Sequence, residues 1–279
     1  MIEQKISLKN LNDWNTDQII SSPCYNILLL NGAGEISIDH NQFVFSKYTI
    51  LFATPYQKIL INHNNSFNIR QLTFHGDFYC IEYHKKEVAC NGLLFNNIYI
   101  KPFISISEDQ YRVFKNDMEH VDQFLKENDP HVEPIVKAYL QVILAKASRL
   151  KMKELHENVH LNRQRHPIEK FQTLLEEHYL TKKQPAFYAD ALLMSTNSFS
   201  RKCKEYFGKS PSEMLQERVI LEAKKLLHLS YKSVKEVATA LHFEDEHYFS
   251  RYFKKYTGVS PTLFRKKVGI SIVADLSKK

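Results

Sequence analysis

Apolar and polar positions alternate along residues 25–84 and then change to helical spacing, so the chain predicts strands first and helices afterwards. The segment GEISIDHNQFVFSKYTILFA alternates between predicted turns near Asn31–Gly34, Asp39–Asn41 and Thr54–Pro55. The segments FNIRQLTF and DFYCIEYH continue the pattern. A series of short strands at this spacing predicts a small β-barrel or β-sandwich.

Two amphipathic helices are predicted after the strands. The first begins at a capping box formed by Ser107 and Gln110 and ends at Asp129-Pro130, and the second runs from Val132 to about Leu155. Their apolar positions are three and four residues apart, so the pair either packs on the strands or pairs with a second chain. The polar stretch 156–167 has no periodicity and is predicted to be an interdomain linker.

The last third of the chain contains an internal repeat. The segments FSRKCKEYFGKSP and FSRYFKKYTGVSP lie 50 residues apart and are identical at eight of thirteen positions. Each predicts an amphipathic helix, then a glycine suited to a left-handed C-terminal position, then a Ser-Pro pair that starts another helix. A repeat of this length and regularity indicates two copies of one supersecondary unit.

A short helix is predicted before each copy, over Tyr188–Met194 and Val234–Leu241. A short helix, a tight turn and a second helix with a polar, basic face are typical of a helix-turn-helix unit, whose second helix enters the major groove of DNA. The second turn is one residue longer than the first. The segment 211–229 predicts a long helix, which would hold the two units at a fixed separation.

With these motifs in order, the ending AKKLLHLSYKSVKEVATALHFEDEHYFSRYFKKYTGVSPTLFRKK resembles the signature of AraC/XylS-type transcription regulators. The resemblance covers about 100 residues, from Ile168 to Lys267. The chain departs from the pattern at His242, where glycine is usual, and at Cys203, where phenylalanine is usual. Histidine tolerates a left-handed backbone better than most residues, so we expect a strained but intact turn, whereas Cys203 predicts looser packing of the first unit.

The resemblance implies that each second helix reads bases and that nearby lysines bind phosphates. The implied base-contacting residues are Asn197, Ser200, Arg201, His247, Ser250 and Arg251. The implied phosphate-binding residues are Lys204, Lys254, Arg265, Lys266 and Lys267. Arginine can bond guanine through two hydrogen bonds, asparagine can do the same with adenine, and lysine suits phosphate oxygens. The bland alternative is that these are solvated residues on helix surfaces.

The distribution of charge agrees with a polyanionic partner for the C-terminal part. Residues 161–279 hold 22 Lys and Arg against 13 Asp and Glu, whereas the first 160 residues hold 16 against 18. The four cysteines form no CxxC pair and are expected to be reduced. No apolar run is long enough to span a bilayer and the N-terminus has no apolar signal core, so we expect a cytoplasmic protein without a membrane partner.

The strands at the front of the chain resemble the cupin-type barrel that often precedes AraC-type domains. Cupin enzymes hold a metal with clustered histidines, but the histidines here are scattered and no HxH motif occurs. A site built from Cys80, His84 and Cys90 would lack a fourth ligand. We therefore predict neither a metal nor another cofactor. Two alternatives stay open: a metal-dependent cupin-like enzyme with an accessory helical domain, and a barrel that only dimerises.

The predicted fold class is α+β, with an N-terminal cupin-like β-barrel and helical hairpin before an all-α domain of two tandem helix-turn-helix units joined by a long helix. The predicted divisions are a sensor barrel over 1–106, a helical dimerisation or packing segment over 107–160, and a DNA-binding domain over 168–268 with units at 188–207 and 234–256. The predicted function is that of a non-enzymatic, sequence-specific transcription regulator that reads two adjacent major-groove segments. Activator is the working expectation, and repressor stays open as the alternative. Its expected partners are double-stranded promoter DNA, RNA polymerase as the family implies, a small effector, and a second copy in a homodimer.

Overall fold

The structure is a computed structural model that describes residues 5–11, 18–39, 41–63, 67–81, 93–95, 97–127, 129, 131–161, 168–271 and 274. In these residues the strands are β1 Ile6–Leu11, β2 Ile19–Ile20, β3 Tyr25–Asn31, β4 Gly34–Ile38, β5 Asn41–Phe45, β6 Tyr48–Ala53, β7 Ile59–His63, β8 Asn68–Phe74 and β9 Phe103–Ser105. The helices are α1 Glu108–Leu125, α2 Val132–Leu161, α3 Glu169–His178, α4 Pro185–Ala191, α5 Thr196–Phe207, α6 Pro211–Leu229, α7 Val234–Ala240, α8 Glu246–Thr257 and α9 Pro261–Val268. The fold class is α+β, as the sequence predicts.

The strands form two antiparallel sheets. The first has the order β1-β8-β3-β6-β9 and the second the order β2-β7-β4-β5. Strand β3 lies in the middle of the first sheet, pairing Leu28 with Leu51 on one side and with Gln71 on the other. The predicted turns at Asn31–Gly34, Asp39–Asn41 and Thr54–Pro55 all lie between strands.

The first sheet is buried on both faces, which explains the unbroken apolar run of β3. Leu28 and Leu30 pack between the two sheets, with side chains such as Ile36 and Ile61 of the second sheet. Ile27 and Leu29 point to the opposite face, where the helices α1 and α2 cover them. A strand buried on both sides needs apolar residues at consecutive positions, since alternate side chains enter different cores.

The helical pair α1–α2 uses its apolar stripe within the chain. The capping box of Ser107 and Gln110 starts α1 as predicted. Its stripe of Phe114, Met118 and Val121 is completely buried in the core shared with the first sheet. This stripe therefore packs on the strands of the same chain. Dimerisation stays a prediction.

Two sequence predictions for this part are wrong. The segment Asp77–Ile81 forms turns and not a strand, with the amides of Phe78 and Tyr79 both donating to the His75 carbonyl. Its residues from Phe78 to Ile81 are all buried, because the segment winds into the core beside α2 and does not present alternate faces. The predicted linker begins too early, since α2 continues to Leu161. The side chains of Lys153 and Glu157 lie one helical turn apart there, 3.8 Å from each other, and such pairs favour a helix without an apolar stripe.

The C-terminal helices enclose two further cores, joined by α6. Phe171, Phe199 and Cys203 are in the core of the first unit, and Phe249 and Phe253 are in that of the second. The bounds of α6 match the sequence prediction, and α5 ends at Phe207, as the predicted first unit does. The short helices α4 and α7 both end earlier than predicted, and α4 also begins earlier, at Pro185. The domain limits and the resemblance of the strands to cupin barrels stay predictions.

The described residues offer no candidate for a membrane span or a metal cluster. No helix in them is long and apolar enough to cross a bilayer, and no three His, Cys, Asp or Glu side chains in them could hold a metal ion together. Cys24, Cys80 and Cys203 are free thiols. His84 and Cys90, two members of the candidate metal site, lie outside the described residues.

Candidate nucleic-acid interface

The two helix-turn-helix units bend at the same backbone position. Leu193 and His242 follow the last residue of their short helices by two positions, and both adopt a left-handed backbone with φ of 55° and 54°. The next amide then folds back onto the helix: Met194 donates to the Ala189 carbonyl and Phe243 to the Ala238 carbonyl, each at 2.9 Å. The expected left-handed conformation of His242 is confirmed, and the first unit carries the same strain at a leucine.

The additional residue of the second turn lies between this bend and the next helix. Ser195 caps α5 two residues after Leu193, whereas Asp245 caps α8 three residues after His242. The Asp245 carboxylate accepts hydrogen bonds from the amides of His247 and Tyr248, at 2.7 Å and 2.9 Å. These amides hold the pKa of Asp245 below its usual value. Both second helices are therefore capped, by different side chains.

The second helices α5 and α8 are fixed by aromatic contacts on their buried faces. The Phe171 and Phe199 rings meet edge to face with centroids 4.9 Å apart, and the Phe253 and Phe264 rings do so at 5.4 Å. Cys203 occupies the position that corresponds to Phe253 and is completely buried. Burial raises the pKa of its thiol to about 12, so the group is a neutral packing element. Looser packing of the first unit stays a prediction.

The opposite face of each second helix is polar and basic. In α5 the residues Asn197, Arg201 and Lys204 are exposed and Ser200 is half-buried. Their spacing of i, i+3, i+4 and i+7 brings them to one face. Arg201 is held only loosely, since its Nε lies 3.8 Å from a Glu205 oxygen and both side chains are well exposed.

The exposed face of α8 repeats this arrangement. His247, Arg251 and Lys254 are exposed and Ser250 is half-buried. Tyr248, which the sequence analysis did not select, is also half exposed beside His247. Its only signal in the sequence is an aromatic residue outside the apolar stripe of the helix. The structure thus brings the predicted base-contacting residues together in two groups of matching composition.

The three basic residues at the end of α9 do not share one environment. Lys266 and Lys267 are exposed. Arg265 turns inward, and its Nε donates to the Leu227 carbonyl near the end of α6 at 3.1 Å. Its buried Nη2 finds no hydrogen-bond partner among the described residues, and burial lowers the pKa of its guanidinium. Arg265 thus differs from its neighbours by holding two helices together.

The N-terminal strands and turns pack directly against both units and the helix between them. The Lys209 ammonium, beside the first unit, donates to the Ile98 carbonyl at 3.0 Å and to Glu217 at 2.6 Å. Lys224 of α6 donates to the Pro55 carbonyl at 2.8 Å, and burial lowers the pKa of its amine.

A second set of contacts lies at the end of the helical region. The His75 ring donates from Nε2 to the Lys267 carbonyl at 2.9 Å, and the Cys80 thiol lies 2.9 Å from the Ser271 hydroxyl. The Tyr56 ring packs on Phe264 of α9 with centroids 5.7 Å apart. The N-terminal region therefore contacts both units and not only the connector.

Comparison with known proteins agrees with the repeat and its helices. A family model described as a helix-turn-helix domain matches residues 188–267. The raffinose operon transcriptional regulatory protein RafR of Pediococcus pentosaceus is 36% identical over 67 residues, which cover 24% of each chain. The transcriptional activator RhaS of Escherichia fergusonii is 29% identical over 92 residues, which cover 33% of each chain. The match therefore spans about a quarter to a third of these curated relatives.

A solved structure of ToxT from Vibrio cholerae aligns with 95% of this chain and 98% of its own, at 13% identity and a TM-score of 0.42. The family match, the curated relatives and the two capped units agree on the C-terminal region. Over residues 188–267, this chain carries a helix-turn-helix domain of the AraC type.

Proposed function

We propose that the chain is a transcription regulator that binds promoter DNA in a sequence-specific manner, with α5 and α8 in successive stretches of the major groove. The observation that carries the proposal is the pair of matching exposed faces, each on a separate core. A 19-residue helix joins the cores, and at 1.5 Å per residue it extends about 28 Å, close to the roughly 34 Å between successive major-groove faces.

The exposed side chains suit both tasks of such an interface. We assign base contacts to Asn197, Ser200, Arg201, His247, Ser250 and Arg251. Lys204, Lys254, Lys266 and Lys267 would bind phosphates, since ammonium groups on exposed helix ends suit a polyanion without reading its sequence. For Arg265 we propose a supporting role, because its guanidinium already bonds the end of α6.

The test is selection of randomised duplex DNA on the full chain, with Arg201→Ala and Arg251→Ala as separate variants. We expect a motif with two blocks about one helical turn apart, and each variant should blur one block. A guanine held by two hydrogen bonds contributes about 1–3 kcal/mol of discrimination, so the variant's preference at that base should fall by a factor of about 5 to 150. Arg112→Ala is the matched control, because Arg112 is an equally exposed arginine on α1.

Two outcomes would contradict this proposal or a part of it. If no sequence is enriched and only salt-sensitive binding remains, the proposal of sequence-specific reading is wrong. If both variants blur the same block, the assignment of one helix to each block is wrong. Arg112→Ala should leave both blocks unchanged.

Control by a small effector, activation through RNA polymerase and a homodimer belong to the same proposal as its finer parts. The relative RhaS is a transcriptional activator, which supports activation. The folded N-terminal region that packs on the helix-turn-helix units supports control by an effector. A molecule that binds only the folded chain raises its thermal stability by mass action, so a screen of metabolites for a raised Tm tests the effector. No shift from any metabolite would favour a sensor without a ligand.

A further inference from the structure

A lysine beside the first helix-turn-helix unit reaches into the turn of the second. Lys183 lies two residues before α4, and its Nζ donates to the carbonyls of Leu241 and His242 at 2.9 Å and 3.0 Å. The same ammonium lies 3.8 Å from the centroid of the Phe243 ring. One side chain therefore makes three contacts with a turn that is about 60 residues further along the chain.

The end of α7 is a favourable place for this ammonium. The last carbonyls of a helix have no partner within it and carry partial negative charge, so they favour a cation. Here α7 ends at Ala240, and the left-handed backbone of His242 turns the chain where Lys183 donates. A positive charge over an aromatic face adds to the attraction.

The contact joins two units that the chain otherwise connects through α6. Leu180, Phe243 and Tyr252 pack against the cores of both units, so the two share an apolar seam. Lys183 lies at this seam over Phe243. A single connecting helix fixes a distance but leaves rotation about its axis open, whereas a second attachment away from that axis fixes the orientation too. Apolar packing has no preferred direction, whereas two hydrogen bonds to backbone carbonyls do.

We propose that Lys183 is a positioning residue that sets the orientation of α8 relative to α5, and through it the spacing between the two DNA segments that the chain binds. This inference rests on the proposed function. Lys183 contacts no base in it; the residue acts through the turn that leads into α8.

The experiment measures the affinity of the full chain for duplexes that carry both blocks, with the spacer changed by single base pairs from −2 to +2, and for duplexes that carry one block. The variants are Lys183→Met, which keeps length and removes the charge, Lys183→Gln, which keeps a neutral donor, and Lys183→Arg. Lys182→Met is the charge-matched control, since Lys182 is the adjacent exposed lysine and bonds neither carbonyl.

We expect the unsubstituted chain to prefer one spacer. Lys183→Met should lose about tenfold affinity at that spacer and should bind the neighbouring spacers within about threefold of it, because charged hydrogen bonds are worth roughly that factor or more. Lys183→Gln should lie between the two, Lys183→Arg should restore the preference, and Lys182→Met should keep it. Single-block affinity should stay the same in all variants.

Two results would overturn the inference while the proposed function stands. One is a spacer profile of Lys183→Met that matches that of Lys182→Met. The other is an equal loss on single-block and two-block duplexes by both Lys183→Met and Lys183→Gln, which would indicate a general defect. If the unsubstituted chain prefers no sequence at all, the proposed function fails first and this inference fails with it.

Discussion

The turn of the first helix-turn-helix unit stores backbone strain that a single substitution should release. Leu193 has a φ of 55°, and its side chain is 95% exposed, so almost no packing depends on it. A left-handed conformation costs a residue with a Cβ atom about 1–2 kcal/mol. Leu193→Gly removes this cost. It also destabilises the folded state by about 0.4–1 kcal/mol, because glycine gives the unfolded chain more conformational freedom. The net gain in stability should be about 0.5–1 kcal/mol.

Amide hydrogen exchange of the unit measures this gain locally. Phe199 is completely buried, and its amide donates to the Ser195 carbonyl at 2.9 Å, so it exchanges only when the unit opens. A gain of about 0.5–1 kcal/mol should slow its exchange by a factor of about 2–5. Leu193→Ala is the matched control, since it also removes the exposed side chain but keeps the Cβ atom and the strain.

The two variants separate strain from surface effects. If Leu193→Ala slows exchange as much as Leu193→Gly, the gain comes from the loss of an exposed apolar side chain, and the argument from strain is refuted. Faster exchange in Leu193→Gly would show that the substitution loses more stability than the release of strain provides.

Two further measurements address the contact with the N-terminal region and the cap of α8. Lys209→Met should reduce the free energy of unfolding by about 2 kcal/mol in urea titrations, because Glu217, only 25% exposed, loses its ion pair. The control is Lys225→Met, at an exposed site on α6, the helix that carries Glu217; it should cost under about 0.5 kcal/mol, and equal costs for the two variants would contradict the reasoning. Since the pKa of Asp245 is lowered by the amides of His247 and Tyr248, its stabilising effect is present above the usual pKa of aspartate and is lost as the pH falls through the lower folded value. Asp245→Ala should therefore flatten the acid end of the curve of stability against pH, and an unchanged slope would show that the cap contributes nothing.

The parts of the fold that local chemistry determines could be predicted from the sequence. The capping box predicted at Ser107 forms, the Ser-Pro pairs start α6 and α9, and Gly208 and Gly258 adopt the left-handed conformation expected of them. Each of these features depends on residues within four positions of one another. The exposure of Asn197, Arg201, His247 and Arg251 follows from the same helical periodicity, so the candidate interface was predictable as a pattern.

The features that depend on contacts between distant segments could not be predicted in this way. Asp77–Ile81 has the composition of a strand, but its position beside the helices turns all its large side chains inward. Arg265 belongs to a basic run in the sequence, and only the nearby end of α6 distinguishes it from Lys266. The partner of Lys183 is about 60 residues away, and no spacing of residues along the chain predicts this contact.

The unequal turns of the two units give the molecule a direction. Asn197 begins the exposed face of α5 and His247 that of α8, and one additional residue precedes α8. The units follow each other along one chain and differ in the length of their turns and in the residues they expose, so exchanging them does not restore the same surface. A duplex read by both helices therefore has a head and a tail, and its inverted sequence is a different ligand. For a protein at a promoter, this polarity would determine which of its ends faces the start of transcription.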